Sequence, residues 1–137
     1  MDILGFLNWA AVTHVNAVRT TMGNAAVDAI DAGTTDTTGD LIIMDSADSA
    51  IARLSWTATP AFGNTTSGVA TMNAINDEAS ALGGTAALFK FQDRDNGEVM
   101  RGTVTGSGGG GDIELSSVNI SPGDTVSISS LTYTATP

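Results

Sequence analysis

The 137-residue chain contains no cysteine, which excludes disulfide bonds and thiolate chemistry. It has a single histidine, His14, so an HExxH zinc motif is impossible, and it has no GxSxG nucleophile elbow. Lys and Arg number only five against fifteen Asp and Glu, for a net charge of -10. Divided after Gly68, each half carries -5, so the negative charge is spread rather than held in a tail. Such a surface keeps a protein soluble and repels nucleic acid, which is therefore not an expected partner. No apolar run is long enough to span a bilayer. The apolar start, MDILGFLNWAAV, is interrupted by Gly5 and Asn8 and has no base before it, so neither a secretory signal nor a membrane contact is expected.

Large apolar side chains are also scarce. Trp56, Phe62, Phe89, Phe91 and Tyr133 stand among scattered Val, Ile and Leu, whereas Ala, Gly, Ser and Thr supply about half of the chain. That composition suits twisted, half-exposed strands and turns better than long helices. The length fits one domain with a real core.

Helical spacing runs from Asn8 to Ala32, with Val15, Val18, Met22, Ala25 and Ala29 as one stripe, Asn8 or Thr13 as the start and Gly33 as the stop. Asp28 and Asp31 fall near its C-terminal end, where the dipole disfavours them, and read as solvated. Strand texture follows. DLIIMD reads as a strand buried on both faces, one toward a second sheet and the other under the helix. AIARLSWT places Leu54 and Trp56 on one side. VATMNAI, TAALFKFQ, EVMRGTV and DIELSSV continue the series, with turn chemistry in TPAFGNTTSG and SPGD. In TVSISSLTYT, a bulge near Ser129 and Ser130 would bring Val126, Ile128, Leu131 and Tyr133 to the core side. The expected fold is mainly β: an antiparallel β-sandwich or jelly-roll-like barrel of seven or eight short strands, with one N-terminal helix packed against it. Residues 13–137 form its single domain, and residues 1–12 an apolar arm.

DRDNGEVMRG, residues 93–102, resembles a cation loop. As an EF-hand it fails, because with Asp93 first, Gly97 takes the fifth position and Val104 the twelfth. As a hairpin turn it succeeds through Asn96-Gly97. A four-residue loop over 94–97 pairs Phe91 with Met100 and Lys90 with Arg101, keeping the aromatics on an apolar face. The glycine run TGSGGGGD lacks the Lys and the following helix of a phosphate loop and reads as a flexible connection. The paired acids Asp77-Glu78 and Asp45/Asp48 read as solvated, and His14 as a surface or capping residue. No catalytic residue, cofactor or metal is expected. The candidate interface residues are Ile3, Leu4, Phe6, Leu7 and Trp9, five large apolar residues in seven positions. They either cap the domain's own core or dock on a neighbouring subunit.

NAAVDAIDAGTTDTTGDLIIMD, ARLSWTATPAFGNTTSGVATMNAI and the closing TAALFKFQDRDNGEVMRGTVTGSGGGGDIELSSVNISPGDTVSISSLTYTATP resemble blocks of a group of small tailed-bacteriophage virion proteins. The resemblance spans roughly residues 24–137, and MDILGFLNWAAVTHV falls outside it. It implies a non-enzymatic structural protein, above all a head decoration (cement) protein on the outer surface of the head. The implied partners are the major capsid protein and further copies of itself, as a trimer. A tail or head-tail connector component is the neighbouring alternative. A carbohydrate-binding β-sandwich would need exposed aromatics, for which only Trp56 and Tyr133 are spare.

Overall fold

The computed structural model describes residues 12–137. The arm residues Ile3, Leu4, Phe6, Leu7 and Trp9 lie outside the described residues. Helix α1 spans Asn16–Asp28 and continues into a 3-10 turn over Ala29–Asp31. The strands are β1 Asp40–Met44, β2 Ala50–Ser55, β3 Val69–Thr71, β4 Gly84–Thr85, β5 Leu88–Gln92, β6 Glu98–Gly106, β7 Ile113–Leu115, β8 Asn119–Ile120 and β9 Thr132–Thr134. Five of them form one sheet in the order β2-β1-β5-β6-β7, and β3-β9 and β4-β8 form two-stranded pairs. Helix α1 packs on β3 and β9. The fold is thus mainly β with one N-terminal helix, as expected.

Strand β1 is the centre. All five of its residues are buried, and it pairs antiparallel with β2 on one side and β5 on the other. Leu41 and Ile43 join the main core with Ile51, Leu54, Trp56, Phe62, Phe89 and Phe91. The opposite face is buried without the helix that the sequence suggested. Ile42 lies in register between Arg53 and Lys90, whose aliphatic stems flank it on that face. Asp40, at the head of the strand, is 1% exposed, and its carboxylate accepts hydrogen bonds from Arg53 and Ser55. The aromatic rings pack together: Trp56 lies 5.6 Å from Phe91 and 5.9 Å from Phe62, and Phe89 lies 5.3 Å from Phe91, within the range where tilted and edge-on pairs attract. Gly102 on β6 makes room for this stack, because a Cβ there would sit 2.5 Å from Phe89 Cε1.

The helix differs from its sequence pattern. Its N-cap is Val15 rather than Thr13, and Asn8 is outside the described residues. The Val15-Val18-Met22-Ala25-Ala29 stripe does not face the core: Val15 is 70% exposed and Val18 42%. Gly23, Val27 and Ile30 are buried instead. The reason is distance of approach. A Cβ at Gly23 would meet Thr65 at 2.7 Å, so the helix approaches the loop before β3 along its smallest residue and leaves Val15 and Val18 outside. Gly33 ends the segment at φ 100, as a helix-terminating glycine should. Asp31 is not simply solvated; both its oxygens accept from the Ala61 amide, at 3.0 and 3.1 Å.

The β5-β6 hairpin has the expected register, Phe91 opposite Met100 and Lys90 opposite Arg101. A bulge then pairs Gln92 with Glu98, so five residues, 93–97, make the turn instead of four. Asn96 adopts φ 64, which supplies the left-handed residue that the turn needs. The closing stretch also departs from one bulged strand. Val126 forms a bridge to Glu78, and β9 begins only at Thr132. Val126, Ile128, Leu131 and Tyr133 all still pack on the core.

The glycine run is ordered rather than a flexible connection. Strand β7 runs parallel to β6, with Val104 opposite Ile113, whereas the expected sandwich was antiparallel. Parallel neighbours ordinarily need a crossover of a dozen residues or more; here 107–112 suffice. Gly108 and Gly110 at φ 79 and 76 turn the chain back on itself. Glu114 then accepts from both their amides, at 3.0 and 2.9 Å, and Thr105 Oγ1 accepts from Gly111 at 3.0 Å.

Trp56, 2% exposed, sits inside the ring cluster, and Leu82, 72% exposed, sits outside it. Trp56→Ala is expected to cost about 3–5 kcal/mol of unfolding free energy, and Leu82→Ala no more than about 0.5 kcal/mol. Urea titration measures both, and similar costs would refute this placement of the core.

Candidate interaction groove

The acidic residues were the obvious candidates for chemistry, and the fold assigns most of them to turns. Asp93 Oδ1 accepts from the amides of Asp95 and Gly97, at 2.9 and 2.7 Å, which makes DRDNG an Asx-stabilised turn. Asp95 reaches back to the loop after the helix and accepts from the amides of Thr34 and Thr35 and from the Thr35 hydroxyl. Those bonds, the Thr34 amide first, hold its pKa below the usual carboxylate range. Asp45 accepts from the amides of Ala47 and Ser49. Asp48 pairs with Arg101, which also binds Glu98 at 2.7 Å. These partners draw one of the two facing cations, Arg101, aside, and they raise its pKa, with Glu98 the larger cause. Glu78 accepts from the Ser80 amide. His14 Nδ1 lies 3.0 Å from the Pro137 carbonyl oxygen. Among the described residues no group of three or more His, Cys, Asp or Glu is placed to hold a metal ion. Trp56 is buried in the core and offers no sugar-stacking platform, whereas Tyr133 packs against the core half-buried.

What the sequence reading missed is a groove. The five-stranded sheet has two edges. At β2, neighbouring chain closes the edge: the Leu82 amide donates to Ile51 O at 2.7 Å and the Asn76 amide to Ser55 O at 2.9 Å. At β7, the last strand in the order, no backbone bond among the described residues reaches the outer side. The 126–132 run lies across from it, and a groove of about 560 Å³ separates the two, lined by Ile113, Leu115, Ile120, Ile128 and Leu131 together with polar neighbours. A second hollow of about 340 Å³ shares Ile113 and Leu131 and continues over Phe89, Phe91 and Tyr133. The result is a mostly polar trough with an apolar strip of Ile128, Leu131 and Tyr133 along it and an open strand edge along one wall.

Its rim is acidic and fixed. Asp112 accepts from the Thr103 amide and hydroxyl, both at 2.8 Å, and these bonds depress its pKa. The Gly108 and Gly110 amides do the same for Glu114. Asp124 closes the SPGD turn through the Ser121 amide. An acid directly after a glycine run, as in GGGGDIE, was the available signal that the loop is pinned. Nothing in the sequence announced an open edge, because which strand ends the sheet is decided by topology.

No family of proteins, no curated protein and no solved structure matches the chain. Among the described residues no helix is long and apolar enough to cross a membrane.

The pinned carboxylates set the acid response. Asp95, Glu98, Asp112 and Glu114 have folded pKa values below their ordinary ones. Their contribution is present above the unfolded values of about 4 and is lost as pH falls through the lower folded ones. Asp31 opposes them: burial raises its pKa, so its contribution is present below the unfolded value and is lost as pH rises through the folded one. Stability should therefore fall below about pH 4, and Asp112→Asn combined with Glu114→Gln should flatten that fall. Thermal melts from pH 7 to pH 2 test this; an unchanged slope in the double variant would refute the role of these two groups.

Proposed function

We propose that this protein is a non-enzymatic virion component, a decoration (cement) protein that binds the major capsid protein on the outer surface of a phage head and works as a homo-oligomer, a trimer. The observation that carries the reading is the resemblance of residues 24–137 to small tailed-phage virion proteins. The fold is compatible with it. A cement subunit needs a compact β-domain with adhesive outer surfaces, and here the acidic groups are spent on holding loops in shape while an open groove faces outward. The net charge of -10 would keep such a subunit off packaged nucleic acid. The apolar residues Ile3, Leu4, Phe6, Leu7 and Trp9 would supply grip.

Cryo-electron microscopy of particles made by the encoding phage is the test. Density for this β-domain at regular sites on the head is expected, together with loss of head stability when the protein is withheld. Density confined to the tail or connector would favour that alternative, and absence from the particle would reject both.

A further inference from the structure

We propose that the groove between β7 and the 126–132 run is an acceptor for an extended strand, and that the strand it takes is the apolar segment 1–11 of a second copy of this chain. Three observations lead there. The first is chemical fit. The acceptor offers an unpaired strand edge and, amid a mostly polar lining, a half-exposed apolar strip of Ile128, Leu131 and Tyr133. A strand added to such an edge gains backbone hydrogen bonds, and alternate side chains cover the strip. Ile3, Leu7 and Trp9 fall on one side of an extended segment, and Leu4 and Phe6 on the other. The second is length: Ile3 to Trp9 is a seven-residue stretch, about 23 Å when extended, which more than spans the three-residue edge of β7.

The third is position. His14 is held at Pro137, three residues beyond β9, and Tyr133 and Thr134 line the near end of the trough. Segment 1–11, with a reach of about 36–40 Å, therefore starts within a few residues' span of the groove and can enter it. The same end of the molecule leaves apolar residues in solvent: Val15 and Val18 on the helix, and Val69, which pairs with Thr134. A second copy docked mouth to mouth would cover those valines and deliver its segment into the trough. A segment folded into its own groove would leave them bare. The segment carries one acid, Asp2, and no base, while Asp112, Glu114 and Asp124 rim the groove. Salt should therefore tighten the association by screening like charges, whereas a basic peptide occupant would be loosened.

The absence of native cysteine permits a direct test on the purified full-length chain, without capsids, so that its result is independent of the virion reading. Asn8→Cys and Ser130→Cys chains are mixed and oxidised, with Ser46→Cys, on the turn between β1 and β2, as the control partner. A disulfide-linked heterodimer of the first pair, absent with the control, is the expected result. Sedimentation velocity should show self-association that strengthens with sodium chloride and weakens by about tenfold or more in Leu7→Asp. No heterodimer, a cross-link found only within chains carrying both cysteines, or association that salt weakens would each overturn the proposal. Leu7→Asp introduces its charge outside the described core, and retention of the wild-type melting temperature would separate lost docking from lost folding.

Discussion

The structure depends on the complete burial of β1. A chain in which small residues make up about half the positions cannot distribute a core evenly, so the large side chains are concentrated. Leu41 and Ile43 point into a cluster closed by four aromatic rings, while Asp40, Ile42 and Met44 are buried on the reverse face. Five consecutive buried residues fix the register of both neighbours, since a slip by one residue would exchange the two faces. It would also move Asp40, which is tolerable in the interior only because Arg53 and Ser55 meet its carboxylate. That bond is the main reason the Arg53 pKa is raised. One strand thereby sets the sheet, and the remaining elements are placed around it.

With so little apolar surface to order the loops, hydrogen bonds to carboxylates do it. Asp45, Asp93, Asp95, Glu114 and Asp124 each accept from one or more backbone amides of a turn or loop, and Asp112 ties the β6-β7 connection to the Thr103 amide of β6. The high acid content therefore has an internal cause besides solubility. Anionic acceptors make the stronger hydrogen bonds to amides, and glycine-rich turns leave many amides to satisfy. The β6-β7 connection is the extreme case: a parallel pair is closed over a glycine loop because Glu114 and Thr105 hold amides at 108, 110 and 111.

Local signals were legible in the sequence, and choices between neighbours were not. The fully buried DLIIM strand, the Asn96-Gly97 turn, the Phe91-Met100 register and the SPGD turn all follow from residue pattern, because each is decided within a few residues. The helix's end, with Gly33 as terminator, was equally plain. Its buried face was not, because a valine stripe attracts attention and the true contact is set by Gly23 meeting Thr65, a residue 42 positions away. The direction of β7 failed for a related reason: alternation in DIEL identifies a strand without fixing its polarity, and a short parallel return was made possible by bonds to Glu114. The groove belongs to this second kind of feature, since an open edge is a property of the assembled sheet.

The two ends of the sheet show how physical constraint can become function. An unpaired edge is a hazard that folded proteins usually cover, shorten or charge. At β2 the 76–82 stretch covers it. At β7 the strand is only three residues long, with Asp112 just before it and Glu114 within it, which discourages indiscriminate pairing. The apolar strip in the groove beside it keeps the edge attractive to a segment that brings matching side chains. Shortness and charge lower affinity for arbitrary strands, while the strip of Ile128, Leu131 and Tyr133 rewards a dense apolar one. Specificity of this kind needs no reactive group: it follows from one sheet that was closed at one edge and left open at the other.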